Sequence, residues 1–486
     1  MPFLDFSFRR LAAGLALLAS VVMAACSTSR PPDHVDFAVP AKYREDATSG
    51  TGAWEAAKPA EGADRGTWWL AFGDPDLTAL IERAAHASPS LAVAAAHVKA
   101  AQAQYGVVDS ERGLHVTGEF GPSRSYGTEF PPGTTWLAGF APSYEVDLFG
   151  RLSDASRAAK ESMEAQQAAY RSTLLALQSD VAQQYFALRS LDTELQVLDD
   201  TIELRKKGLQ LVQHRYDAGD TSELDVAQAR TELADAQAER AAVARTRGQR
   251  DHALAVLLGE APETTSLPAT PLHFQAVVVP AGLPSDLLER RPDIVEAQRS
   301  LAAASAQVGA AHAAFFPSLT LTGLAGYESS ELHNLFHWSS RAWILGPFLG
   351  TIASIPLLDG GHNDAVLAGA NADYERAVAS YREQVLVGFQ DVEDSLTAIR
   401  TLDEQLAFER QAGEAANRAE QLAQSRYRNG STSYLEVIDA QRSSLSAKRN
   451  IAQVEGLRAL ASVALIKSLG GGWQTTVPPT ALSETR

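Results

Sequence analysis

The chain contains a long internal repeat. An offset of 211 positions brings Gly150–Gly259 onto Gly361–Gly470 without a gap. The agreement is clearest where RYDAGDTSELDV (215–226) meets RYRNGSTSYLEV (426–437), which share Arg, Tyr, Gly, Thr, Ser, Leu and Val in register. A repeat of this length is a duplicated structural unit, and such units bury their apolar faces on their neighbours. The repeat therefore predicts quasi-symmetric stacking or a closed tube.

The first 25 residues are typical of an export signal. Arg9 and Arg10 precede the apolar run Leu11–Met23, which is too short to span a bilayer. Cys26 is the only cysteine of the chain and stands where a bacterial lipoprotein signal places its lipidated residue. An unpaired cysteine at this position has no disulfide role. We expect a signal peptide over 1–25 and a lipid on Cys26; the alternative is an ordinary secretory signal with an incidental cysteine.

Charge and hydropathy exclude two classes of protein. The chain has 42 Lys and Arg against 59 Asp and Glu, a formal net charge of −17, which argues against nucleic-acid binding. No other apolar run approaches the length of a transmembrane helix, so any membrane crossing is expected to use strands.

Helical patterns dominate both copies. Residues 74–104 predict one helix with Asp74 as its N-cap, and about 287–314 predict its counterpart. Two stretches of 66 residues without proline, 151–216 and 362–427, predict helices of about 100 Å. Shorter helices are predicted over 224–258 and 435–469. The first long stretch has a heptad seam, which is typical of coiled-coil packing, formed by Leu174, Leu177, Val181, Leu188, Leu191, Leu195, Leu198 and Ile202.

Strand patterns appear once in each copy, as a hairpin within 114–150 and a hairpin within 315–361. Two hairpins cannot cover their own edges. If they cross a membrane, the sheet has to close, and four strands are fewer than the eight of the smallest bacterial barrels. We therefore expect oligomerisation, with three chains supplying twelve strands.

These patterns predict the domain organisation. Two repeats that each contain a helix, a hairpin and long helices are separated by an extended linker and flanked by a lipidated tether and a tail. The predicted ranges are 1–25 (signal), 26–73 (tether or equatorial segment), 74–260 (repeat 1), 261–284 (linker), 285–470 (repeat 2) and 471–486 (tail).

Several motifs resemble one family in order along nearly the whole chain after the signal. They are DLFGR (147–151), LPSDLLERRPDIVEAQRSLAAASAQVGAAHAAFFPSLTLTG (283–323), PLLDGG (356–361), RYRNGSTSYLEVIDAQRSSLSA (426–447) and LGGGW (469–473). They are similar to TolC-like outer-membrane factors, specifically the OprM-like lipoprotein (NodT) branch. The resemblance implies a mainly α fold: a homotrimer with a long antiparallel coiled-coil α-barrel and a twelve-stranded membrane β-barrel.

The resemblance also implies a function. It is that of the exit duct of a tripartite efflux system, lipid-anchored in the outer membrane of a Gram-negative bacterium. The implied partners are a periplasmic adaptor (membrane fusion protein) and an inner-membrane pump, often of the resistance-nodulation-division class. No cofactor is implied apart from the lipid on Cys26.

A gate is expected where the long helices turn. Leu435, Asp439 and Arg442 follow one helix face at i, i+4 and i+7, and Arg426 and Tyr427 precede them. The resemblance implies a periplasmic constriction here, where a threefold axis makes each residue a ring. A leucine ring blocks solutes by dewetting, and a charged ring selects ions. An Asp439–Arg442 bridge between neighbouring chains is one way to hold the ring shut; the alternative is an ordinary exposed pair of little consequence.

The first copy departs from this pattern. Leu224 is kept, but Gln228 replaces Asp439 and Thr231 replaces Arg442. We therefore expect the second-copy helices to constrict and the first-copy turn to dock the adaptor. Residues of both turns are candidate adaptor contacts, although turn chemistry alone also explains them: Gly219, Thr221, Ser222, Gly430, Thr432 and Ser433.

Signals for an enzyme are weak. His333 and His337 have the spacing of zinc ligands, but HNLFH lacks the glutamate of HExxH and lies in a predicted loop. No nucleophile with a partner is evident, so we expect neither catalysis nor a metal site. A coiled-coil lipoprotein that braces the envelope without conducting remains the main alternative, and a lipid-anchored hydrolase is a weaker one.

Overall fold

The structure is a computed structural model that describes residues 30–34, 67–125, 133–275, 290–345 and 351–471. The predicted signal peptide, Cys26, most of the tether, part of the linker and nearly all of the C-terminal tail lie outside these ranges.

Helices account for most of the described chain. They are α1 (Pro75–Ala87), α2 (Pro89–Ser110), α3 (Arg151–Asp217), α4 (Glu223–Leu257), α5 (Pro292–Ala313), α6 (His362–Arg428) and α7 (Tyr434–Ser468). Among the helices that the structure describes, none combines the length and the apolarity needed to cross a membrane.

The bounds of the four longest helices agree with the predicted ones to within one residue at each end. The single helix predicted over 74–104 is wrong, because the chain leaves the helical conformation at Ser88 (φ −64°, ψ 124°). Pro89 causes this break, since proline disfavours the α conformation of the residue before it. Asp74 caps α1 as expected, accepting hydrogen bonds from the amides of Asp76 and Leu77 at 2.9 and 3.1 Å.

The repeat extends to the backbone conformation of its turns. Glycines at equivalent positions of the two copies adopt positive φ, where a side chain is strained. The pairs are Gly150 and Gly361 (81° and 84°), Gly219 and Gly430 (80° and 70°), and Gly259 and Gly470 (72° and 85°). Each pair ends or begins a long helix, so the two copies turn by the same means.

The strands form one antiparallel sheet. They are β1 (His115–Ser125), β2 (Gly133–Val146), β3 (Ser318–Ser329), β4 (Arg341–Leu345) and β5 (Thr351–Ser354). β1 pairs with β2, β2 with β3, and both β4 and β5 with β3. β2–β3 pairing joins the two predicted hairpins into one sheet, with Gly139 directly opposite Gly326. The predicted fourth strand is described as two segments, β4 and β5.

The two faces of the sheet differ in polarity. The register places Val116, Phe120, Phe140, Tyr144 and Leu321 on one face, and all five side chains are exposed in the single chain. The opposite face has mainly polar residues, among them Thr117, Glu119, Ser143, Glu145, Thr320 and Thr322. An apolar face and a polar face in strict alternation are the pattern of strands that separate lipid from a water-filled lumen.

The chain divides into two compact units. Of the described residues, the first comprises 30–34, 96–125, 133–167, 296–345 and 351–383, and it contains the sheet. Inside it α5 packs on α6 through Val308, Ala311 and Ala370.

Of the described residues, the second unit comprises 67–95, 168–275, 290–295 and 384–471. Its core is formed by buried side chains of α1, α3, α4 and α7. Trp68, Trp69 and Phe72, at the end of the predicted tether, are buried in this core, where the Phe72 ring contacts Phe186 at 5.1 Å between centroids. The heptad seam of α3 is confirmed, since Leu177, Val181, Leu188 and Leu198 are buried.

Candidate functional site

The candidate site is the helical tip, defined as the turns between α3 and α4 (218–222) and between α6 and α7 (429–433) with the adjoining helix ends. A small apolar cluster of its own holds it together. Val212, Val226 and Ala229 from the first copy pack with Val437 and Ile438 from the second. Both copies of the repeat therefore contribute side chains to the helical tip, which lies within the second unit.

The first-copy turn is closed by a capping box. The Ser222 hydroxyl accepts from the Asp225 amide at 3.3 Å, and the Asp225 carboxylate accepts from the Ser222 amide at 3.3 Å. Thr221 also donates to this carboxylate. Burial raises the pKa of Asp225, but these hydrogen bonds from Thr221 and Ser222 outweigh it and leave the pKa lowered. Ser222 is therefore the N-cap of α4.

The second-copy turn is built around two tyrosines. The rings of Tyr427 and Tyr434 lie 5.2 Å apart between centroids, and the Arg215 guanidinium lies 4.8 Å from the centre of the Tyr427 ring. Arg215 also donates to the Tyr427 carbonyl at 3.1 Å. Burial, with the neighbouring Tyr427 as the next cause, raises the pKa of Tyr434 to about 12, so this hydroxyl stays protonated at neutral pH.

Tyr427 therefore lies inside the tip, and not beside the other predicted gate residues on its surface. Its side chain is 6% exposed, whereas the repeat-equivalent Tyr216 is 41% exposed. For the arginines the difference in burial is reversed: Arg426 is exposed, whereas its equivalent Arg215 is half-buried. The nearest carboxylate to Arg426 is that of Glu436, at 4.0 Å. Tyr427 can thus support the second-copy turn, while Arg426 lies on its surface.

Leu435, Asp439 and Arg442 are all exposed on one face of α7 in the single chain. Their buried neighbours Val437, Ile438 and Gln441 form the opposite face, which packs into the unit. The structure therefore brings the three predicted ring residues together on a surface that is free to face other chains. Gly219, Ser222, Gly430 and Ser433 are likewise exposed, while Thr221 and Thr432 are half-buried.

The charge partner of Arg442 within the chain is Glu232 of α4. Arg442 Nε and Nη2 donate to Glu232 Oε1 at 2.9 and 2.5 Å. The hydrogen bond and the charge of Glu232 raise the pKa of Arg442, and Asp439 adds a smaller electrostatic contribution. Sequence reasoning missed Glu232 because a charged residue on a long helix gives no local signal. A comparison of the two copies could have indicated Glu232, because the equivalent residue, Ser443, is uncharged and the two copies therefore differ in charge at this position.

The predicted strand loop contains His333 and His337. His333 is exposed and lies 3.4 Å from a carboxylate oxygen of Glu331. Within the described ranges, no three His, Cys, Asp or Glu side chains are grouped closely enough to hold a metal ion.

Comparisons with known proteins agree with this architecture. The family model described as "Outer membrane efflux protein" matches residues 80–260 and 283–471. The chain is 36% identical over 413 residues to the solvent efflux pump outer membrane protein SrpC of Pseudomonas putida, covering 83% of this chain and 87% of SrpC. It is 32% identical over 462 residues to the cation efflux system protein CusC of Escherichia coli, covering 93% and 98%. The solved structure of the outer-membrane channel OprN superposes with a TM-score of 0.84 at 30% identity, covering 92% of this chain and all of that one.

Proposed function

Because the chain belongs to the outer membrane efflux protein family, it is an outer-membrane channel, and we propose that the second-copy side of the helical tip is its gate. The protein is the exit duct of a tripartite efflux system in a Gram-negative bacterium. It has the fold of the family, a trimer with an α-helical barrel and a β-barrel, and it works with a partner pump system.

The observation that supports the gate is the exposed face of α7. Leu435 lies nearest the turn, and Asp439 and Arg442 follow it deeper along the same face. In a trimer each becomes a ring of three around the axis. The Leu435 ring narrows the opening and excludes water from it, while the charged Asp439 and Arg442 rings select among ions and polar solutes. Conduction itself is passive, so the energy for export comes from the pump.

The first copy supports a different role for its turn. Gln228 and Thr231 replace the two charges, and Leu224 is exposed beside them. This turn, closed by its capping box, offers a fixed surface with hydrogen-bonding groups and no gate charges. We assign to it the main contacts with a periplasmic adaptor, and to Gly430, Thr432 and Ser433 of the second turn the remaining ones.

The finer assignment of partners follows the same reasoning. A periplasmic adaptor and an inner-membrane pump of the resistance-nodulation-division class would complete the system. The names of SrpC and CusC refer to a solvent and to a cation. Relatives of similar identity thus differ in cargo, which favours cargo selection by the pump. We propose no catalytic activity and no cofactor apart from a lipid on Cys26, which stays a prediction because Cys26 lies outside the described residues.

Neutralising the gate charges is expected to widen the ion path. Asp439→Ala and Arg442→Ala should each raise the single-channel conductance of the purified trimer in a planar bilayer by about twofold or more, because each removes three side chains from a constriction. The repeat supplies matched controls, Gln228→Ala and Thr231→Ala, which should leave the conductance unchanged. An unchanged conductance in both second-copy variants would remove the basis of the gate assignment.

A further inference from the structure

We propose that Glu232 is a positioning residue of the gate, whose carboxylate holds Arg442 and thereby ties α7 to α4 at the tip. This inference rests on the proposed gate and adds a residue to it that lies on the other copy of the repeat. It also assigns Glu232 a part in the ion preference of the opening, because it compensates the charge of Arg442.

The carboxylate of Glu232 is held in place by a buried arginine of α3. Its side chain is 5% exposed, and Arg205 Nη2 of α3 lies 3.0 Å from its Oε2. Arg205, also 5% exposed, donates in addition to the backbone carbonyl of Glu232. Breaking a buried pair of this kind leaves an uncompensated charge in the interior, which strongly destabilises the fold. Glu232 and Arg205 therefore form the permanent part of the arrangement.

Arg442 is the part that can leave. It binds the other oxygen, Oε1, and its side chain is 58% exposed. An ion pair with one partner in solvent contributes little to stability, because water replaces the lost contact. The tip can thus release Arg442 without disturbing the buried Glu232–Arg205 pair. This combination of one fixed and one releasable guanidinium is what a reversible tether needs.

The repeat does not reproduce this arrangement at the equivalent positions. The positions equivalent to Glu232, Arg205 and Arg442 are Ser443, Ala416 and Thr231. None of these three is charged. The tether therefore joins α4 to α7 of one chain. The equivalent positions, Thr231 on α4 and Ser443 on α7, cannot form a second such ion pair.

One heptad further from the turn, the same two helices carry a second pair that serves as an internal control. Arg449 Nη1 donates to Glu239 Oε2 at 3.1 Å, and Arg449 also binds the buried Glu194 at 2.7 Å. Because Arg449 keeps Glu194 when Glu239 is neutralised, Glu239→Gln removes a contact between the same two helices without freeing the arginine. It separates the specific role of Glu232 from a general loosening of α4 against α7.

The test is a double-mutant cycle in planar bilayers with Glu232→Gln, Arg442→Ala and the double variant. Glu232→Gln should raise the single-channel conductance by about twofold, and the double variant should conduct no more than Arg442→Ala alone, since both changes break one interaction. The reversal potential in a salt gradient should shift toward anions in Glu232→Gln, where Arg442 is uncompensated, and this shift should vanish in the double variant. Glu239→Gln should match the wild type in both measurements.

Two results would overturn the inference while leaving the gate in place. The first is that Arg442→Ala raises the conductance and Glu232→Gln does not. The second is that the double variant raises the conductance by the product of the two single-variant factors, which would show that the two residues act independently. No change in either Arg442→Ala or Asp439→Ala would overturn the gate and the inference together. If Glu232→Gln does not form trimers, Glu232→Asp keeps the charge for Arg205 while withdrawing the carboxylate from Arg442, and the same outcomes decide.

Discussion

Replacing Asp192 with alanine is expected to lower the free energy of unfolding by about 3–5 kcal/mol. The Asp192 side chain is 1% exposed and binds Arg247 Nε at 2.6 Å and Arg189 Nη1 at 3.2 Å. It also accepts from the Thr270 amide at 3.0 Å, so it ties the segment after α4 to both helices. Alanine removes the nearest carboxylate of both guanidinium groups, whose side chains are only 4% and 15% exposed.

The repeat provides the control for this prediction. Asp403 and Arg458, at positions equivalent to Asp192 and Arg247, form the same ion pair, but the Asp403 side chain is 46% exposed. Asp403→Ala should therefore cost less than about 1 kcal/mol. Thermal or denaturant unfolding of both purified variants, at equal protomer concentration, measures the difference. Equal losses in the two variants would show that burial does not decide the strength of this pair.

Replacing Gly326 with valine is expected to abolish assembled channels. A Cβ at this position would overlap the backbone of Ala138 and Gly139 on the neighbouring strand, where no flexible side chain can give way. Glycine is found in strands where another backbone approaches this closely. Since β2–β3 pairing joins the two hairpins, its loss divides the sheet and exposes two more strand edges.

The matched control is Gly118→Val on β1, where an added Cβ meets nothing within 4 Å. Valine is favoured in strands and suits the apolar face on which Gly118 lies. Outer-membrane fractions and unheated gel electrophoresis should show trimers for Gly118→Val and not for Gly326→Val. Trimers of normal yield in Gly326→Val would mean that β2 and β3 do not pair as closely as the structure has them.

Most of the helical architecture could be predicted because its determinants are local. Long stretches without proline, a heptad seam and a glycine at each turn define α3, α4, α6 and α7 to within a residue at each end. The break at Ser88 was equally local but was outweighed by the alanine-rich pattern around it. Gly388 of α6 has a packing cause that the local sequence does not show: a Cβ there would lie 3.2 Å from Ile294 Cδ1.

Features that depend on distant parts of the chain could not be predicted. The pairing of β2 with β3 brings together residues almost two hundred positions apart, and neither strand carries a signal for the other. The Asp192–Arg247 and Asp403–Arg458 pairs are identical in sequence, yet the Asp192 side chain is buried and the Asp403 side chain is exposed. At the tip, the face of Leu435, Asp439 and Arg442 followed from helical spacing, whereas the partner of Arg442 lies on another helix and needed the fold.

Cross-linking at Asp439 tests the central claim, that the second-copy side of the tip is the gate, most directly. Since Cys26 is the only natural cysteine, Asp439→Cys adds one defined thiol per chain. Its single-channel conductance should exceed that of the wild type, fall close to the baseline when a short cleavable thiol cross-linker joins the chains, and recover when the linker is cleaved. The repeat-equivalent Gln228→Cys, treated in the same way, should conduct as before. A cross-linked Asp439→Cys trimer that still conducts fully, or an equal block at Gln228→Cys, would contradict a gate formed by the second copy.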